Sequence, residues 1–183
     1  MTESTLFLAS FIFYGISAAL YFVFLFREKE KWAITGYKII FAGFIIHTIA
    51  LILRTVESGH APFTNMYESL SFLAWSGAFA YIFVEGKYKI RKAGPYFILI
   101  IIVLMALASS PLMPKEAKPL MPALQSYWLW LHVSVTLLGE AFFAMAFITS
   151  IMYLVAESKK KTPIKQKKTL SPERLDYISY RCI

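Results

Sequence analysis

Three histidines, two carboxylates in apolar surroundings and one arginine carry whatever chemistry this sequence holds. His47, His60 and His132 are its only imidazoles, Glu68 and Glu140 fall in or beside long apolar runs, and Arg54 follows His47 by seven residues. Neutral imidazole ligates metals and is the usual axial donor to haem iron. An intramembrane carboxylate must be paired, protonated or wet, so it marks either a hydrogen bond to a neighbouring helix or a proton or ligand path. Other chemistries find no foothold. Cys182 is alone, which rules out an intrachain disulfide, and there is no CxxC, CxxCH, HExxH, GxSxG or Gly-rich phosphate loop.

The elements that position these groups follow from composition. The 183 residues are 58% hydrophobic and 17% aromatic, with a mean hydropathy of +0.58, far from an ordinary soluble domain. Five stretches are apolar over the roughly 20 residues that a helix needs to cross about 30 Å of hydrocarbon. They are residues 5–26, 34–53, 66–84, 95–113 and 127–156, the last long enough to imply tilt or an overhang. No basic segment precedes the first and no small-residue cleavage pattern follows it, so it reads as a retained helix and not a signal peptide. The expected fold is an all-α polytopic membrane helix bundle of about five transmembrane helices over residues 1–156. A basic tail, 157–183, follows and ends in the start of a further helix: Ser171, Pro172 and Glu173 supply an N-cap, a first-turn proline and a first-turn acid.

Orientation comes from the basic residues behind the net charge of +8. All lysines and arginines except Arg54, Lys115 and Lys118 follow the first span, follow the third, or lie in the tail. The positive-inside rule then puts the N-terminus outside and the tail in the cytoplasm. This alternation with apolar spans accounts for the positive charge better than nucleic-acid binding does, so no nucleic-acid partner is expected. The run KKKTPIKQKK also suits anionic headgroups.

In that orientation all three histidines sit toward the outer face. His60 is in the loop between the second and third spans, and His132 is about 7–8 Å below the start of the fifth. His47 is about 20 Å up the second span, in its outer third. Each has two readings. His47, sharing a helical face with Arg54, suits packing between helices at least as well as ligation. His60 suits a solvated loop or a site. His132 lies beneath Trp128 and Trp130, where either an interfacial aromatic belt or a bound porphyrin would place aromatics.

The stretch SGHAPFTNMYESLSFLAW, residues 58–75, begins an apolar helix with unusually polar residues. Asn65 is a good N-cap and Glu68, three residues on, can return a hydrogen bond to it. The same helix end presents free N–H groups to an anion, and Trp75 lies seven residues below Glu68 on one face. A ligand with acidic groups and an aromatic plane, such as haem, would suit that mouth.

These residues also carry a resemblance. SGHAPFTNMYESLSFLAW resembles the outer-loop signature SGH-P-SN-YESL-FLSW of the CcsA/ResC family of cytochrome c biogenesis proteins. LQSYWLWLHVSVTLLGEA, residues 124–141, is similar to the family's LQS-W-HV-LSY-A, and LDYISYRCI at the end resembles its LD-SYR. The three occur in the family's order. The resemblance implies a membrane protein that carries or receives haem, as transiently held haem b, on the outer face. With a ResB/CcsB-type partner it would present haem to the CxxCH cysteines of apocytochrome c, at most as part of a haem lyase complex in a bacterial cytoplasmic membrane. It makes His132 an axial ligand of the iron. Trp128, Asn65, Tyr67 and Glu68 would line or support the cavity, His60 would stand near it, and His47 receives no role.

The departures are as informative. Family members continue past SYR into a tryptophan-rich WWD motif flanked by two more ligand histidines, and none of these is in this sequence. It therefore looks like the N-terminal part of a family member that needs a WWD-containing half for a complete haem site. The competing reading is a transporter or structural subunit without cofactor, with His47, Arg54 and Glu140 marking an ion path. An integral b-type electron carrier, which needs paired histidines on facing helices, is poorly served by one mid-span His47.

Overall fold

The computed structural model describes residues 2–111, 113, 116, 126–160 and 171–183, with the backbone alone at 159 and 160. The described residues form α1 (Glu3–Arg27), α2 (Glu30–Ser58), α3 (Met66–Tyr88), a 3-10 turn (Arg91–Ala93), α4 (Gly94–Ser109), α5 (Tyr127–Lys160) and α6 (Pro172–Arg181), with no strand among them. The protein is a polytopic helical membrane bundle. Among the described residues, α1, α2, the Arg91–Ser109 segment and the Tyr127–Ser158 stretch of α5 are long and apolar enough to cross a membrane. The fifth expected span, α3, has the length but is not among them, and it is the most enclosed of the set, burying Tyr67, Glu68, Ser71, Ser76, Tyr81 and Glu85.

Why α1 and α2 pair is written in a seven-residue repeat. The buried face of α1 includes Phe7, Ser10, Tyr14, Ser17, Tyr21 and Phe24, and that of α2 is Ala33, Gly36, Ile40, Gly43, His47, Ala50 and Arg54. Spacings of three and four keep one stripe of each helix on its neighbour. Between helices in lipid the drive is close packing and hydrogen bonding, so small and polar residues make this seam and the apolar ones face out. Tyr14 and Tyr21 lie in notches over Gly43 and Gly36, where an added Cβ would stand 3.1 Å from Tyr14 Cε1 and 3.0 Å from Tyr21 Cε2. Ser17 Oγ donates to Gly36 O at 2.8 Å, and Tyr21 and Tyr81 share a 2.5 Å hydroxyl–hydroxyl bond that brings in α3.

Helix ends follow local rules. α4 stops at Ser109, short of the expected residue 113, because Ser110 precedes Pro111 and takes the extended conformation (φ −56, ψ 140) that a following proline imposes. α6 begins as expected: Ser171 caps Arg174 N, Pro172 opens the helix, and Leu175 and Ile178 are buried. Ser179 bonds Thr149 Oγ1 on α5 at 2.8 Å, and Arg174 Nη2 donates to Tyr88 O at 2.7 Å, fixing α6 under the lysine-rich end. Lys115, Lys118, Leu124, Gln125, Lys161, Lys165, Lys167 and Lys168, which entered the charge and motif readings, lie outside the described residues.

Candidate functional site

The loop joining α2 to α3 is fastened before it reaches the site. Gly59 takes a left-handed conformation (φ 71) that closes α2 by donating to Thr55 O, and Ser58 Oγ donates to His60 O at 3.0 Å. His60 is buried, with Nδ1 at 3.0 Å from Ala61 O. It is thus neither a solvated loop residue nor an outward-facing one.

Asn65 caps α3 as expected, its Oδ1 accepting from Glu68 N at 2.8 Å. Its Nδ2 reaches Glu116 O across the mouth. The Glu68 side chain departs from the expected capping box. Its Oε2 accepts from Thr64 N at 2.9 Å and Thr64 Oγ1 at 2.5 Å, one residue before the cap. Its Oε1 accepts from Arg54 Nε at 2.9 Å and Nη2 at 2.8 Å. Arg54 also stands 3.8 Å from Glu3 Oε2 and over the Tyr67 ring, while Tyr67 donates to Glu3 Oε1 at 2.5 Å. Tyr67 and Glu68 are both buried, so they brace the mouth from within and present no open carboxylate or hydroxyl to a ligand. One N–H of this first turn, Glu68 N, is taken by Asn65, and Thr64 N, just before the cap, by Glu68, which is the capping role.

His47 lies one step deeper in the same seam. It is fully buried, Nε2 at 3.0 Å from Ser71 Oγ and Nδ1 at 3.4 Å from Tyr14 Oη, with Phe7 and Tyr14 edge-on to its ring. Both nitrogens are used between helices, which is the packing role.

The open part of the molecule is elsewhere. Along α3, Phe72, Trp75, Phe79 and Phe83 recur at three and four residues and form one aromatic edge. Phe44 of α2 stacks on Trp75 (5.2 Å, 23°), and Phe142 of α5 meets Phe79 and Phe83 edge-on. Trp75 Nε1 donates to Thr48 Oγ1 at 2.8 Å, which fixes the indole. Above it a slot of about 300 Å³ is lined by Thr48, Leu51, Thr55, Pro62, Phe72 and Trp75, and is almost wholly apolar.

His132 and Trp128 are exposed on α5, Trp128 at 78%. Since α3 and α5 run in the same direction, and Phe142 sits beside Phe79 and Phe83, His132 ten residues earlier stands about level with the turn of α3 that carries Phe72. It lies about 80° around α5 from Phe142. The structure therefore relates His132 to the aromatic slot in depth. It does not bring His132 into one cavity with Tyr67 and Glu68. Among the described residues no group of three or more His, Cys, Asp or Glu could hold a metal ion. The exposed imidazole is a donor of the type that binds haem iron, and the apolar, aromatic lining of the slot is of the type that takes a porphyrin. Sequence reading missed Thr48, Thr55, Phe44 and Phe142; the three-and-four spacing of Phe72, Trp75, Phe79 and Phe83 was the signal available.

Fold and site together define a multi-pass helical membrane protein with a braced rim, a closed polar seam, an open aromatic slot and, at about its depth, an exposed histidine. The profile described as "Cytochrome C assembly protein" matches residues 63–183, and the chain belongs to that family. Among its relatives, the "Cytochrome c biogenesis protein CcsA" of Guillardia theta is 34% identical over 179 residues, covering 87% of this chain and 60% of the relative. Those of Pyropia yezoensis and Chlorella vulgaris are each 38% identical, over 120 and 132 residues. They cover 64% and 71% of this chain and 38% and 42% of the relatives. The chain thus spans between about two fifths and three fifths of the length of these relatives.

Proposed function

We propose that this chain serves cytochrome c assembly by holding haem at the face that carries Asn65 and Trp128, for attachment to apocytochrome c. The single observation behind this reading is the exposed His132 standing level with the aromatic slot, in a chain whose relatives are named for cytochrome c biogenesis. His132 would supply an imidazole to the haem iron, and Trp75 and Phe72 would offer an apolar surface to the macrocycle. Bound haem would bring the vinyl groups and redox-active iron that thioether formation needs; this chain's share is orientation. Arg54, Glu68, Asn65 and Tyr67 hold the rim, and His60 keeps the loop shut behind it.

The lysine-rich end, with Lys87, Lys89, Arg91 and Lys92, faces the cytoplasm, so His132 is on the outer side of the membrane, in a bacterium the cytoplasmic one. The second iron ligand comes from a WWD-containing half, and a ResB/CcsB-type protein completes the complex. The test is to purify the chain alone and together with the rest of a CcsA relative and record haem spectra. A Soret band that falls at least tenfold in His132→Ala is expected; equal haem in wild type and His132→Ala overturns the ligand assignment. A colourless preparation in both settings supports the transporter reading instead.

A further inference from the structure

The faces that the spanning helices turn outward are not alike. At mid-span α1 exposes Leu8, Ile12 and Ile16, α2 exposes Phe41, Ile45 and Ile49, and α4 exposes Leu99, Val103 and Leu107. All are side chains that lipid accepts. α5 is the exception: Trp128, His132, Thr136 and Glu140, four residues apart and so on one stripe, are all exposed. Glu140 is 13 residues from Tyr127, about 20 Å along the helix and near the middle of α5, inside the apolar span where an exposed carboxylate is costly. Beside it Gly139 has nothing within 4 Å of where a Cβ would be, leaving open space against the backbone. Below, Phe143 and Phe147 continue the stripe as apolar surface, 57% and 65% exposed.

We propose that this face of α5 docks a transmembrane helix carrying a cationic side chain at mid-span. The partner backbone approaches at Gly139, its charge meets Glu140, and its apolar flank covers Phe143 and Phe147. A second copy of this chain does not fit, because a two-fold contact through α5 in a common membrane orientation would set the two Glu140 carboxylates against each other. The longer relatives, of which this chain matches 38% to 60%, carry further sequence able to supply such a helix. The inference depends on α5 spanning the membrane and not on haem.

The test uses the full chain in phosphatidylcholine vesicles with two labelled polyleucine transmembrane peptides, one with a single central arginine and one without, and reads association by energy transfer. The arginine peptide should associate at least tenfold more strongly than the plain one. Glu140→Leu should abolish that preference, Glu140→Gln should reduce it, and Gly139→Ile should weaken both peptides. Association is read without haem, so the two readings fail separately. Equal binding of the two peptides, an unchanged preference in Glu140→Leu, or self-association of the chain in place of peptide binding would overturn the proposal.

Discussion

His47 and His132 are the same side chain under opposite conditions. His47 is enclosed by α1, α2 and α3 with Ser71 and Tyr14 at its two nitrogens, whereas His132 stands exposed on α5. Glu68 and Glu140 repeat the contrast: Glu68 accepts from Arg54 and Thr64 at both oxygens, and Glu140 is exposed at mid-span. In a membrane, a polar group that is closed off by partners holds helices together, and one left open is there for something that arrives later. The seam is therefore architecture and the α5 face is, as proposed, a working surface, a division that mutation can break.

The largest effect is expected at the rim. Glu68→Ala would take from buried Arg54 the carboxylate that Nε and Nη2 both reach, and loss of one partner of a buried pair costs about 3–5 kcal/mol. Unfolding in mixed micelles by increasing dodecyl sulfate should show that loss. A change under about 1 kcal/mol, the range of exposed pairs, would mean the rim is solvated and the contrast with α5 is false.

Next comes the packing of the seam at the lysine-rich end. A Cβ on Gly94 would fall 2.5 Å from Tyr81 Oη and closer still to Tyr21 Cε1, so Gly94→Ala must separate the tyrosine pair or displace α4. Overpacking of this kind costs about 1–3 kcal/mol. The same micelle titration should find it, and Gly139→Ala, with open space around it, should be nearly neutral. Equal effects at the two glycines would contradict the division into closed seam and open face. His47→Leu should cost about 1–3 kcal/mol by stranding the Ser71 and Tyr14 hydroxyls, with the ring's packing lost in addition. A neutral His47→Leu would return that residue to the list of candidate ligands.

How far sequence reveals this division depends on which forces are local. The Asn65 and Ser171 caps were legible because capping involves residues three apart, and the apolar spans because hydrophobic length is a property of a single segment. The end of α4 was misjudged by four residues because Ser110 looks no different from a span residue until Pro111 is given its steric due. The seam was not read, since its glycines, serines and tyrosines lower the apolar count that identifies spans. Its seven-residue recurrence in α1 and α2 was there to be found. Sequence left Tyr67 and Glu68 to line or support the cavity, because a helix end looks the same whether its polar groups face a cavity or Arg54 and Glu3. His60 shows the same limit, as nothing in SGHAP tells that Ser58 will hold the loop inward.

The smallest effect on stability is also the most discriminating. His132 is exposed, and removal of an exposed side chain changes stability by no more than about 0.5 kcal/mol. His132→Ala should therefore unfold at the same dodecyl sulfate fraction as the wild-type chain while its haem absorbance collapses. Trp75→Leu should do something different. It removes the slot's floor and its bond to Thr48, lowering stability measurably and, if His132 is the ligand as proposed, haem retention only in part. If His132→Ala instead destabilised the bundle as His47→Leu does, the imidazole on α5 would be a packing residue, and the open face would have to be reassigned to the architecture of the protein.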